Sequence, residues 1–156
     1  MEIVHLYISP GHNYFGHHGR QPDDHPAIEV DEIECIAGSG IRGDRFFDYK
    51  DNYKGQITFF AEEVFAELCA EFGIHDKRPS VLRRNVITRG QDLRKLIGRK
   101  FELQSVRLRG TQECRPCYWM DEAFAPGAER FLRGRGGLRA RILSDGVIRA
   151  RQAVPV

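Results

Sequence analysis

The sequence contains no apolar run of the roughly 18 residues that a membrane-spanning helix requires. Its first residues, Met1 to His5, lack the basic stretch and following apolar stretch of a secretory signal. The four cysteines, at positions 35, 69, 114 and 117, are too few and too irregularly spaced for a disulfide framework. These absences predict a cytoplasmic protein with reduced thiols and no membrane partner.

Lysine is scarce: the chain has 5 lysines and 19 arginines among 156 residues. That length, with 41% apolar residues, predicts a single domain over residues 1–156 with its own core. Arginine favours two-pronged contacts to phosphate or carboxylate. There is no basic run, no recognition motif and no regular alternation of aromatic residues with arginines, so we expect a small phosphorylated ligand rather than nucleic acid.

The net charge of +2 conceals an uneven distribution. Residues 1–76 hold 5 Lys/Arg and 15 Asp/Glu, whereas residues 77–156 hold 19 Lys/Arg and 7 Asp/Glu. The second half therefore either binds an anion or packs against the acidic first half. A further interpretation is that many of the arginines are solvated or form internal ion pairs.

Two cysteines lie close together in the segment from Glu113 to Met120. Cys114 and Cys117 flank Arg115, and Trp119 follows two residues later. A nearby positive charge favours the thiolate, which is the form that attacks, carries sulfur or binds a soft metal. The alternative is that both cysteines are small buried residues near a turn at Pro116.

Two arginine-containing segments are candidates for an anion site. In the glycine-dense turn at residues 38–47, Arg42 and Arg45 flank backbone N–H groups that glycine leaves accessible. Further along, Arg83, Arg84 and Asn85 interrupt an apolar strand predicted over residues 81–88. Burying such a triplet is costly unless an anion meets it.

Periodicity predicts a mainly β fold with appended helices (α+β), resembling a barrel. Strands are expected at residues 4–8, 28–36, 56–60, 81–88, 101–108, 138–144, 147–149 and 153–154, with an irregularity near Ile33. Helices are expected at 61–73, 91–96 and near Phe131, and Asp145-Gly146 is expected to be a hairpin turn. Residues 12–26 hold four of the six histidines and predict a long loop that is solvated or covers a ligand.

Six motifs in order resemble the MOSC domain, a module named from the C-terminus of molybdenum cofactor sulfurases. They span about residues 38–149, most of the chain. The motifs are Gly40-Ile41-Arg42-Gly43-Asp44-Arg45, Gln56-Ile57-Thr58, Arg83-Arg84-Asn85-Val86, Gly90-x-Asp92-Leu93 with Leu96 and Gly98, Cys114-x-Pro116-Cys117, and Gly136-Gly137-Leu138-Arg139-Ala140.

The resemblance implies a MOSC-type β-barrel and a cleft for molybdopterin, the phosphorylated pterin that chelates molybdenum. Cys117 matches the family's characteristic cysteine, which is expected to ligate molybdenum or carry a transferable sulfur. Arg83, Arg84 and Asn85 would contact the pterin or its phosphate. Arg139 and Arg141 would lie along the same site.

Three functions are compatible with these residues. One is a molybdenum enzyme that reduces N-oxygenated substrates with electrons from a separate electron-transfer protein. A second is a carrier in which a Cys117 persulfide, or the intact cofactor, passes to a molybdoenzyme acceptor. A third is a structural zinc site of Cys114, Cys117 and two loop histidines, with the arginine-rich half as an interaction surface. The chain departs from the family at Arg151-Gln152, where Gly-Asp is usual, and we expect no sulfurase domain that would mobilise sulfur from cysteine.

Overall fold

A computed structural model describes residues 1–11 and 26–151. The strands are β1 (Glu2–Ile8), β2 (Ile28–Val30), β3 (Glu32–Ile36), β4 (Gly40–Ile41), β5 (Ile57–Ala61), β6 (Val86–Arg89), β7 (Lys100–Leu103), β8 (Val106–Glu113), β9 (Leu138–Ile142) and β10 (Gly146–Arg149). The helices are α1 (Glu62–Phe72), α2 (Trp119–Ala123) and α3 (Ala128–Phe131), with 3-10 turns at Pro79–Leu82 and Leu93–Leu96.

The strands form two sheets. The larger has seven strands in the order β2-β1-β6-β5-β9-β8-β7, and the smaller has the order β10-β3-β4. Only the β5–β6 pair is parallel among the strand pairs of the described residues. The predicted mainly β fold with appended helices is confirmed. Over residues 1–11 and 26–151 the two sheets are not closed into a barrel, and β2 and β7 are the edge strands of the larger one.

The main core lies between the two sheets. Ile33, Cys35 and Ile148 of the small sheet belong to the same buried cluster as Phe59 and Leu108 of the large sheet. Alternation along the strands produces this arrangement, because every second residue of a strand faces the same side. The inner faces of the two sheets therefore pack against each other.

The outer face of the large sheet is covered over only part of its width. There, Tyr7 of β1, Phe60 of β5 and Ile87 of β6 form a second core with Phe65 and Leu68 of α1. The helix α1 ends at Gly73, which takes the left-handed conformation with a φ of 62°. On β7, β8 and β9 the corresponding outer positions other than Thr111 are charged and are exposed or half-buried. No helix of the described residues packs on this part of the face, although the Asn52 and Lys54 carbonyls accept hydrogen bonds from Arg141 and Thr111 at its edge.

Three predicted strands differ from those observed. The strand predicted over residues 81–88 is a 3-10 turn, then Arg83 with a positive φ of 58°, and then β6 from Val86. The strand predicted over residues 101–108 is a hairpin of β7 and β8, whose turn places Gln104 at a φ of 53°. The strand at residues 28–36 breaks at Asp31, and its two parts, β2 and β3, join different sheets.

The hairpin predicted at Asp145-Gly146 is also wrong. β9 pairs with β5 and β8, whereas β10 pairs with β3. The Asp145 carboxylate accepts a hydrogen bond of 2.8 Å from the Ala37 N–H, which ties the turn to the small sheet. The predicted strand at residues 153–154 and nearly all of the histidine-containing loop, residues 12–25, lie outside the described residues.

The uneven charge distribution is used largely within the molecule. Among the described residues, five ion pairs join an acidic residue of the first half to an arginine of the second. These pairs are Glu2–Arg89, Glu62–Arg89, Glu67–Arg135, Glu32–Arg149 and Glu2–Arg151. The interpretation that the two halves face each other is therefore confirmed for these arginines. No helix in the described part of the chain is long and apolar enough to cross a membrane.

Candidate functional site

Asp44 organises the glycine-rich turn that follows β4. Its side chain is fully buried, and its carboxylate accepts hydrogen bonds from the backbone N–H groups of Ser9 (3.0 Å) and Phe46 (3.3 Å). It also accepts from the guanidinium of Arg45 (3.3 Å) and from the side-chain amide of Asn85 (3.3 Å). A buried carboxylate needs such donors, so Asp44 joins the turn to the segment that precedes β6.

Asn85 links three strands of the large sheet. Its side-chain oxygen accepts from the N–H and the hydroxyl of Thr58, each at 3.0 Å. Its side-chain nitrogen donates to the Tyr7 carbonyl (3.2 Å) as well as to Asp44. Both ends of the amide are therefore engaged by the protein, and Asn85 holds its neighbours in place.

Arg84 is buried, and three backbone carbonyls hold its guanidinium. Nε donates to Gly136 (3.1 Å), Nη1 to Leu82 (2.8 Å) and Nη2 to Cys114 (3.3 Å). None of the ion pairs formed within residues 1–11 and 26–151 includes Arg84. The three carbonyl oxygens therefore hold the guanidinium in one orientation without neutralising its positive charge.

Arg45 lies beside Arg84. It donates to Asp44 and, through Nη2, to the Arg83 carbonyl at 3.1 Å, and its guanidinium lies 4.6 Å from the centre of the Phe46 ring. Burial lowers the pKa of Arg45; Asp44 opposes this shift and the charge of Arg84 adds to it. The Arg83 side chain itself points elsewhere, donating to the Gly11 carbonyl at 2.7 Å.

Cys114 is buried just after the end of β8, where the backbone of Gly136 and Gly137 passes so close to it that no larger residue fits at Gly136. Its N–H donates to the Gly137 carbonyl at 2.8 Å. A Cβ at Gly136 would lie 2.2 Å from the Cys114 carbonyl oxygen and 2.7 Å from Pro116. The Gly136-Gly137 pair therefore lets the chain pass directly behind the cysteine segment.

Cys117 is exposed, in contrast to Cys114. It lies on a loop just beyond the end of β8. Its carbonyl accepts a hydrogen bond of 2.9 Å from the Met120 N–H, which joins the loop to α2. The pKa of the neighbouring Tyr118 is raised, first by loss of solvent contact and then by the charge of Cys117.

Tyr53 is a site residue that the sequence did not reveal. Burial raises the pKa of Tyr53, Arg139 lowers it, and Tyr49 and Cys114 raise it further. A Cβ at Gly55 would contact both the Tyr53 ring (3.2 Å) and the Arg139 side chain (3.3 Å), so the two side chains meet there. Its ring packs in a group with Phe46 and Tyr49. Tyr53 lies in the loop between β4 and β5. Because this loop has no helical or strand periodicity, the sequence pattern did not indicate which way the Tyr53 side chain points.

Three of the predicted arginines lie near one another, and the others have separate contacts. Arg45, Arg84 and Arg139 surround the region of Cys114 and Tyr53, and we call them the arginine cluster. Arg42 is exposed and pairs with Glu34 at 3.1 Å. Arg141 lies two residues beyond Arg139 on the same face of β9, and its Nε donates to the Asn52 carbonyl at 3.2 Å.

Comparison with known proteins identifies the fold family. A model of the MOSC domain matches residues 17–155. The chain belongs to the MOSC domain family. Its fold is similar to that of the YuaD protein from Bacillus subtilis, with a TM-score of 0.73 and 21% identity over 96% of this chain and 91% of that one.

The MOSC domain is also similar in fold to two YiiM proteins. The structure from Escherichia coli gives a TM-score of 0.64 at 17% identity, covering 92% of this chain and 65% of that one. The structure from Geobacillus stearothermophilus gives 0.68 at 15% identity, covering 95% and 70%. No curated relative matches the sequence.

Zinc ligation in this MOSC domain would need residues beyond those described. The described residues contain no group of three His, Cys, Asp or Glu side chains that could hold a metal ion. The loop histidines proposed as partners of Cys114 and Cys117 lie at residues 12–25, outside the described residues.

A cavity of about 320 Å³ lies at the ends of β5 and β6, away from the predicted site residues. Ala61, Gly90 and Leu93 are among the residues that line it, and none of the predicted site residues does.

Proposed function

We propose that this MOSC domain binds the molybdenum cofactor, with the Cys117 thiolate as a ligand of the metal. The observation that supports this most strongly is the arginine cluster beside the cysteine segment. Arg84 donates to the Cys114 carbonyl, Arg45 lies beside Arg84 and pairs with the buried carboxylate of Asp44, and Arg139 contacts Tyr53. No ion pair of the described residues includes Arg84 or Arg139. The excess positive charge suits an anionic ligand that enters the same region.

The residues fit the chemical parts of the cofactor. A phosphate is matched by guanidinium groups whose direction is already fixed, as the three carbonyls fix Arg84. A soft metal already bound by sulfur is matched by a thiolate, and Cys117 is the exposed thiol of the described residues. When bound, the cofactor supplies a metal centre that can exchange oxygen atoms or sulfur.

The surrounding residues then have separate roles. Arg45, Arg84 and Arg139 bind and orient the phosphorylated end. Asp44 and Asn85 position this cluster, since their polar atoms are engaged by the protein itself. Arg83, Arg42 and Arg141 remain proposed contacts of the ligand's periphery.

Two alternative activities are compatible with an exposed Cys117. The first is reduction of an N-oxygenated compound, with electrons from a separate electron-transfer protein. The second is carriage of a sulfur atom or of the cofactor to a molybdoenzyme, and the exposure of Cys117 supports this, because a persulfide there is accessible to an acceptor. In both, the protein binds, orients and shields the cofactor.

The proposal is tested by the metal and pterin content of the protein from a host that makes the cofactor. Molybdenum and zinc are measured by mass spectrometry and pterin by fluorescence after oxidation, for the wild type and for Cys117→Ser. Cys69→Ser is the matched control, because Cys69 is buried in α1, away from the arginine cluster.

We expect near-stoichiometric molybdenum and pterin in the wild type and in Cys69→Ser. In Cys117→Ser the molybdenum is lost or reduced, whereas folding is unchanged. The structural zinc function would be supported instead by a wild type that contains zinc but no molybdenum, together with a Cys117→Ser variant that has lost both the zinc and its thermal stability. If the wild type and both variants contained no molybdenum, no zinc and no pterin, the cofactor-binding function would be excluded.

A further inference from the structure

The open outer face of β7, β8 and β9 carries a row of like charges. Lys100 of β7 lies directly opposite Arg109 of β8, and Arg109 lies directly opposite Arg141 of β9. Arg107, two residues from Arg109, points to the same side. We call these four residues the cationic face.

This arrangement costs stability. Directly opposed residues on neighbouring strands are close together, and like charges at such positions destabilise a sheet. None of the ion pairs formed within the described residues includes Lys100, Arg107, Arg109 or Arg141. Elsewhere in the molecule, by contrast, arginines such as Arg89 and Arg149 are paired with carboxylates of the other half.

The cationic face is continuous with the candidate site. Arg139 is two residues from Arg141 on the same face of β9, and it contacts the region of Tyr53. Arg109 lies on β8, which ends at Glu113, and Cys114 is the next residue. At about 3.3 Å per residue, Arg109 and Cys114 are roughly 17 Å apart along the strand. A protein bound on this face would therefore reach the Cys117 loop.

We propose that the cationic face docks an acidic electron-transfer protein beside the Cys117 site. The proposal rests on the proposed function in its reductive form, which requires such a partner. Steering by opposite charges would bring the partner to this side of the sheet and speed its association. Transient contacts of this kind are small and sensitive to salt.

The side chains of this face favour a protein over a nucleic acid. Alternation along β7, β8 and β9 places no aromatic ring among the outer positions of these three described strands, so the bases of a single strand would have no stacking surface there. Glu102, opposite Arg107, interrupts the positive charge, so the described strands β7, β8 and β9 offer no continuous cationic track for a phosphate backbone. An acidic protein surface needs neither stacking nor a continuous cationic track.

The test uses the full chain, isotope-labelled for NMR, titrated with an acidic iron–sulfur ferredoxin at low and high ionic strength. We expect chemical-shift changes concentrated on β7, β8 and β9 that disappear at high ionic strength. Arg109→Glu should weaken binding about tenfold or more, which is the loss typical of a close interfacial charge. Arg133→Glu, an exposed arginine after α3, is the matched control and should reduce binding only slightly.

The thermal midpoint separates lost docking from lost folding. Arg109→Glu places a carboxylate between Lys100 and Arg141, so its midpoint should stay the same or rise while binding falls. No ferredoxin binding, or shifts that map elsewhere, would overturn the proposal. Equal loss of binding in Arg133→Glu would do the same.

Two further outcomes would also overturn it: tighter binding of a single-stranded DNA oligomer to the same residues, or shifts that track the concentration of the chain alone and so indicate a second copy. None of these readouts requires bound molybdenum. Failure of docking is therefore distinguishable from failure of cofactor binding, which the metal content reports.

Discussion

The guanidinium of Arg84 donates a hydrogen bond to the backbone carbonyl of Cys114 over 3.3 Å. The same guanidinium donates to Gly136 and Leu82, so one side chain joins the start of β6, the glycine pair before β9 and the cysteine segment. Arg84 therefore has two roles: it holds the backbone of the candidate site, and it places a fixed positive charge beside Cys114.

Replacing Arg84 with lysine should destabilise the protein by about 2–4 kcal/mol. An ammonium group cannot reach all three carbonyls, and a buried carbonyl left unpaired costs about 1–3 kcal/mol. The free energy of unfolding is measured by urea denaturation. Arg133→Lys, at an exposed arginine, should change it by less than about 0.5 kcal/mol. Equal effects of the two substitutions would show that the three hydrogen bonds contribute little.

Replacing Gly136 with alanine should displace the cysteine segment. The added Cβ would lie 2.2 Å from the Cys114 carbonyl oxygen, so the backbone has to move, at a cost of about 1–3 kcal/mol or more. Gly98→Ala is the comparison, because its Cβ would meet no atom within 4 Å and the cost there is only that of a φ of 76°. Circular dichroism melts compare the two variants. A smaller loss in Gly136→Ala than in Gly98→Ala would contradict the close approach.

Alkylation of the native protein should label one thiol. Cys117 is exposed, whereas Cys35, Cys69 and Cys114 are buried. We expect iodoacetamide at neutral pH to modify Cys117 first, with the other three reacting only after denaturation, as peptide mass spectrometry would show. Cys117→Ser should remain unlabelled. Equal labelling of Cys114 in the native wild type would mean that the segment is open.

Alkaline pH should destabilise the fold through Cys35. Burial raises the pKa of this thiol from 9.0 to about 12. Between these values the unfolded chain releases a proton that the folded chain retains, so stability is complete below pH 9 and falls as the pH rises towards 12. Each pH unit costs about 1.4 kcal/mol at most.

Comparison with Cys35→Ala isolates this effect. The variant loses packing at every pH, but its free energy of unfolding should fall less steeply than that of the wild type between pH 9 and 11. Tyr7, whose pKa burial raises to about 12, contributes equally to both proteins. Parallel curves for the two proteins would show that Cys35 ionises without unfolding.

The sequence predicted best what depends on neighbouring residues. The apolar stripe of α1 and its stop at Gly73 are local, and both are found where the pattern placed them. The position of Cys117 beyond a strand end was also predictable, since the apolar alternation of β8 stops before it.

Contacts between distant segments could not be predicted. Arg84 is held by carbonyls as far as 52 residues away, so its burial without a carboxylate partner among the described residues was not visible in the triplet Arg83-Arg84-Asn85. Asp145 resembled a hairpin turn, but its carboxylate accepts from Ala37, 108 residues away, and this contact belongs to the small sheet. Tyr53 contacts Arg139 because its loop leads into β5, which pairs with β9.

The central claim, that Cys117 ligates the metal, is tested most directly by X-ray absorption at the molybdenum edge. The measurement compares molybdenum-loaded wild type with Cys117→Ser loaded in vitro with the same cofactor. We expect the wild type to show one more sulfur neighbour of molybdenum than the variant does. The same number of sulfur neighbours in both proteins would contradict the account and leave Cys117 as a thiol near the metal, without a bond to it.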